Sequence, residues 1–246
     1  MTAPTSGGER FADLSRTERQ TIVAAGTDRF LRAVDDIADT EFTGPTLLSG
    51  WTRSHLIGHV GHNATALTRL LDWAETGVRT PMYASPDDRN REIDDSARWE
   101  PARLRDLVSH SATRLAARWD ALDVAAWHAQ VTTAQGRTVH AEETLWMRTR
   151  EVWIHLVDLD IGVDFTALPR VVLASVLADI TAKWRAAGTA DGLALHVDGG
   201  EPIAFPTGDG AVSHVEGPLP GVVQWASGRG SALLRRGHDV RAPHWL

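Results

Sequence analysis

Three side chains in this sequence could share one cation. Glu151 and His155 stand four positions apart in Glu151-Val152-Trp153-Ile154-His155, and His59 opens the run His59-Val60-Gly61-His62-Asn63-Ala64. Residues four apart occupy one face of a helix. Two imidazoles and one carboxylate that leave a coordination position open are the donor set of a catalytic zinc site. The chain contains no cysteine, so thiol chemistry at such a site needs a sulfur from outside.

Spacing alone does not single out a metal. A Glu-x-x-x-His pair is commonly a surface ion pair, and the His-Glu-x-x-His signature of zinc proteases is absent. His55 and His62 flank His59 at helical intervals and read as peripheral. Arg148, Glu151, His155 and Asp158 recur every three or four positions among Leu145, Val152, Leu156 and Leu159. Such a polar stripe is either solvated or buried with partners. An unpaired carboxylate in a core is costly, and an ion between facing helices removes that cost.

The elements that must carry these residues are legible in outline. Ser15-Arg16-Thr17-Glu18 is a capping-box pattern and predicts a helix to about Asp39. A second helix starts near Thr52 or Ser54 and closes at Gly77. Residues 81–95 are polar and read as a connection with a short helix at most. Pro101 suits a first helical turn, with Leu104, Val108, Leu115 and Trp119 following at helical spacing. β-Branched residues around Gln135-Gly136 suggest a small hairpin. A further long helix is predicted over 142–161, stopping at Gly162. Four long helices with one interruption make a bundle.

The pattern then changes. Pro169 opens a helix reaching Gly188, followed by strand-like runs over 193–197, 202–205 and 211–215, with helical segments over 218–226 and 231–236. The predicted fold class is α+β, with a helical domain over 1–165 and a small C-terminal α/β domain over 166–246.

Composition excludes several classes. A net charge of −7 leaves no basic footprint for nucleic acid, and no apolar run is long enough for a membrane span. The first eight residues lack a signal-peptide pattern and read as a frayed tail. Absence of cysteine fits a reducing cytoplasm. Ten tryptophans against the single Tyr83 point to core packing, with Trp51, Trp146 and Trp153 near enough to the motifs to wall a pocket.

The runs Gly50-Trp51-Thr52-Arg53, His59-Val60-Gly61-His62-Asn63-Ala64, Arg150-Glu151-Val152-Trp153-Ile154-His155-Leu156-Val157-Asp158-Leu159 and Ala226-Ser227-Gly228-Arg229-Gly230 together resemble the mycothiol-dependent maleylpyruvate isomerase family. The resemblance spans nearly the whole chain. It implies a DinB-like four-helix bundle and a sterol-carrier-like C-terminal domain. It makes His59, Glu151 and His155 the ligands of a zinc or similar divalent ion, and Arg229 a catalytic arginine. Asp158 and Asn63 match polar family positions and are expected to orient the ligands.

The implied reaction is the cis-trans isomerisation of maleylpyruvate to fumarylpyruvate in gentisate degradation. Mycothiol, a low-molecular-weight thiol, supplies the sulfur. Its thiolate adds to the conjugated double bond, the former double bond rotates, and expulsion of the thiolate restores the alkene, with no net redox change. The small-molecule dicarboxylate calls for a guanidinium partner. Arg229 suits it, in a Gly-flanked turn read as lying near a helix start; without the resemblance it would be a helix-end arginine with no ligand. If Arg229 reaches the metal, the active site lies between the domains.

Three other readings stay open at this stage. A related thiol S-transferase would share the metal and the thiol but act on another electrophile. A zinc hydrolase would hold hydroxide at the open position, yet no Glu adjoins a ligand as its base. A non-catalytic module would use the polar stripe only as a satisfied buried network. The sequence leaves the residues that bind mycothiol, the metal's identity and the oligomeric state open.

Overall fold

The computed structural model describes residues 10–205 and 212–245. The expected frayed tail over residues 1–8, and Ala211 at the start of the third strand-like run, lie outside them. The chain divides into two compact units, Ser15–Gly162 and a second made of the N-terminal residues to Leu14 with Val163 onward.

The larger unit is built on four long helices, α1 (Arg16–Asp36), α2 (Arg53–Thr76), α4 (Pro101–Ala121) and α6 (Glu143–Asp158). Between them lie α3 (Pro86–Ser96), α5 (Val124–Trp127) and the hairpin β1 (Gln130–Thr132) and β2 (Thr138–His140). Local chemistry sets their ends. Ser15 and Glu18 form the reciprocal cap of α1. The Thr52 hydroxyl caps α2, and Gly77 ends it in the left-handed conformation at φ 71°. Leu56, Ile57, Val60, Leu67, Leu70 and Leu71 of α2 are fully buried, each contributing roughly 1.5–3 kcal/mol. Gly61 lets α4 come close, because a Cβ there would stand 2.6 Å from Leu107 Cγ.

The smaller unit is α+β. Helix α7 (Arg170–Ala187) precedes a sheet of order β4-β3-β5, where β3 is Leu193–Val197, β4 Ile203–Ala204 and β5 Ser213–Gly217. Strand β3 pairs antiparallel with β4 and parallel with β5, Leu195 standing level with Val215. Helix α8 (Leu219–Ala226) follows, and Trp184 and Trp225 meet edge to face at 5.9 Å in its core. The backbone N–H of Phe11 donates to Ser175 Oγ on α7 (2.8 Å). No helix of the described residues is long and apolar enough to cross a membrane.

Three expectations need correction. The connection read over 81–95 carries a longer helix than expected, the eleven-residue α3, started by the Ser85 hydroxyl and Pro86 and running on to Ser96. Helix α6 ends at Asp158, earlier than predicted, because Asp160 takes a left-handed φ of 54° before Gly162 is reached. Residues 231–236 are not helical: Arg236 forms a bridge with Glu216, and Gly237 at φ 86° lies against β5. Pairing with a strand edge outweighs helical propensity in so short a run.

Candidate metal centre

Helices α2 and α6 bring the three predicted donors together. His59 Nε2 lies 2.9 Å from Glu151 Oε2, and His155 Nε2 lies 3.1 Å from the same oxygen. One ligand atom from each of the three falls within 4.8 Å of the others. The two rings stand edge to face with centroids 5.0 Å apart. All three side chains are largely withdrawn from solvent.

Burial and charge act against one another here. Burial alone would raise the Glu151 carboxyl, but the charges and hydrogen bonds of His59 and His155 outweigh it and hold Glu151 well below the ordinary carboxylate value. Burial would lower His155; its hydrogen bonds to Asp158 and Glu151 win and raise it to about 9. His59 is pushed down by burial, with Glu151 opposing. The ring N–H of His155 faces Asp158 Oδ2 at 2.9 Å, and the Asp158 side chain is fully buried. A histidine whose Nδ1 is so engaged presents Nε2 to a cation in a fixed tautomer.

The donors fit a divalent ion. Two imidazole nitrogens converge on one carboxylate oxygen, and a cation in their midst would replace hydrogen bonds that now share a single acceptor. Nitrogen and oxygen donors suit zinc and accept neighbouring divalent ions.

The other candidates sort by position. Asn63 works one step away from the ligands: its Oδ1 accepts from Arg148 Nη1 at 3.1 Å, and Arg148 also donates to Val60 O at 2.7 Å. Burial pushes the Arg148 guanidinium down to about 10, against the pull of Glu151 and Tyr83. His55 is used in the α2 cap, its Nδ1 2.7 Å from Thr52 Oγ1. His62 faces Glu92 at 3.9 Å and Trp99. Trp51 meets His59 edge-on at 5.4 Å and forms a wall of the centre, whereas Trp153 packs on Gly26 and Trp146 is buried.

Arg229 belongs to the smaller unit, between Gly228 (φ 78°) and Gly230 (φ 102°), and donates to Ser227 O at 2.7 Å. Its backbone N–H donates to Gln224 O at the C-terminal end of α8. The expected helix start after it is therefore absent, and no helix dipole favours an anion at this turn.

Two residues were missed at the sequence level. Tyr83 and Arg89 come from the segment read as a connection. Arg89 Nη2 stands 3.3 Å from His59 Nδ1, and the Tyr83 phenol feels the charges of Arg89 and Glu151. Burial pushes Tyr83 up to about 12. The only available signal was that Tyr83 is the sole tyrosine of the chain.

The family described as the mycothiol maleylpyruvate isomerase N-terminal domain matches residues 23–160. A crystal structure of the mycothiol-dependent maleylpyruvate isomerase is 44% identical, covers 96% of this chain and 99% of its own, and superposes with a TM-score of 0.92. A histidine-to-alanine variant of that isomerase is 43% identical over the same shares, with a TM-score of 0.91. YfiT from Bacillus subtilis, described as a probable metal-dependent hydrolase with an unusual four-helix bundle topology, is 17% identical over 64% of this chain and 87% of its own, with a TM-score of 0.45. No curated protein matches the chain significantly.

Proposed function

Because the chain belongs to the mycothiol-dependent maleylpyruvate isomerase family, we propose that it converts maleylpyruvate to fumarylpyruvate, using a divalent metal ion and mycothiol. The observation that carries this reading is the convergence of His59, Glu151 and His155 within 4.8 Å in a chain with no cysteine. When bound, the ion and the thiol supply a nucleophilic sulfur that adds reversibly to the conjugated double bond.

The residues of this chain do the holding. His59, Glu151 and His155 bind the ion. Asp158 fixes the tautomer of His155. Arg148, anchored on Val60 and Asn63, sets a buried positive charge within electrostatic reach of Glu151, while His59 and His155 keep that carboxylate ionised and ready to ligate. Trp51 screens His59 from water on one side. Arg229 is assigned a carboxylate of the substrate, which it would grip through two parallel hydrogen bonds.

The assay follows maleylpyruvate absorbance with and without mycothiol, on zinc-loaded and chelator-treated protein. Turnover that needs both additions supports the reading. Turnover without thiol would favour a hydrolase, and thiol consumption with a stable adduct would favour an S-transferase.

A further inference from the structure

The two ligand histidines are held differently on the side away from Glu151. His155 Nδ1 faces a buried carboxylate, Asp158. His59 Nδ1 faces Arg89 Nη2 at 3.3 Å. A guanidinium only donates, so Nδ1 must accept and the proton of the ring lies on Nε2, toward Glu151 Oε2. Once a cation takes His59 Nε2, the remaining proton of the neutral ring sits on Nδ1. Two donors then face one another, and the Arg89–His59 contact can no longer be a hydrogen bond.

Arg89 is not otherwise committed. Among the described residues its side-chain hydrogen-bond partners are His59 and the Asn90 side-chain oxygen at 3.3 Å, neither of them a carboxylate. The neighbouring arginines of the same segment differ: Arg91 pairs with Asp88 and Arg98 with Asp95. A partly buried guanidinium beside the metal centre, with no carboxylate within ion-pair distance, is a ready receptor for an anion.

We propose that Arg89 binds one carboxylate of the substrate beside the metal centre, and that this contact takes the place of the Arg89–His59 hydrogen bond when the ion is bound. The inference rests on the dicarboxylate substrate proposed above. A molecule with two carboxylates can use more than one guanidinium partner.

The experiment compares the full-length protein with Arg89→Met and Arg89→Lys, each with an unchanged circular dichroism spectrum. Zinc affinity is measured by competition with a chromophoric chelator. Arg89→Met should bind zinc as tightly as the wild type or several-fold tighter, because a competing donor and a nearby cation are gone. A tenfold weaker affinity would mean that Arg89 merely positions His59, and overturns the proposal. Pimelate, an unreactive saturated dicarboxylate, is then titrated calorimetrically into the zinc-loaded proteins without thiol. The wild type should bind it at least tenfold more tightly than Arg89→Met, with Arg89→Lys between them. Equal binding, or none by the wild type, overturns the proposal. With maleylpyruvate, KM should rise more than kcat falls. A wild type that leaves maleylpyruvate unchanged refutes the isomerase reading alone, since the zinc and pimelate comparisons still decide the role of Arg89.

Discussion

Two pairs of histidines in this molecule look alike at first sight. His59 and His155 have ring centroids 5.0 Å apart; His196 on β3 and His214 on β5 have centroids 5.2 Å apart, with Nε2 and Nδ1 at 3.0 Å. The surroundings separate them. The first pair shares a carboxylate oxygen of Glu151, and one ring is braced by Asp158. The second pair satisfies itself, one ring donating and the other accepting. Glu216, level with His196 in the sheet, lies 4.0 Å from Arg235 instead. Close imidazoles are thus not enough. A carboxylate between them and a second one behind make the first pair, and not the second, a candidate cation receptor.

The largest effect should come from removing one ring of each pair. His59→Ala should abolish stoichiometric zinc and isomerisation together, while His196→Ala keeps both. Elemental analysis and the thiol-dependent assay read this out, and one equivalent of zinc retained by His59→Ala would end the distinction. Arg229→Ala tests chemistry apart from ligation. Its kcat/KM should fall by roughly a hundredfold, as when one preorganised donor is lost, with zinc content unchanged; wild-type kinetics would remove Arg229 from the reaction. The brace comes next: Asp158→Asn should weaken zinc affinity by about 10–100-fold, and an affinity equal to the wild type would make the buried carboxylate a structural element only.

The smallest effect is a pH dependence. The His155 value is raised in the folded, metal-free protein to about 9, so its contribution to stability is whole below the unfolded value of about 6.5. It is lost as pH climbs toward 9. Thermal melts of the metal-free protein should therefore decline across that window, and zinc should flatten the slope by replacing the proton. Identical slopes with and without zinc would contradict the assigned ligand.

Much of the frame was legible because it rests on local chemistry. The Ser15–Glu18 cap, the Gly77 stop and the Gly136 turn each involve residues a few positions apart. The Glu151/His155 interval has the same character, since a helix alone puts both on one face. What escaped depends on contacts distant in sequence. Arg89 gains its meaning from His59, thirty positions earlier. Asn63 was singled out, but its pairing with Arg148, eighty-five positions later, was not. The 231–236 segment left its helical pattern for the edge of β5. Arg229 was placed correctly in a glycine-flanked turn, but the turn follows a helix instead of leading one. No periodicity announces any of these, because each is decided by which surface the segment meets after the chain has folded.

His59 and Glu151 are separated by 92 positions along the chain. A growing polypeptide that has finished α2 can offer an ion only one of its three donors, and tight capture must wait until α6 exists and has docked. An ion held by these three donors would close the bundle late, after helices far apart in the chain have packed together.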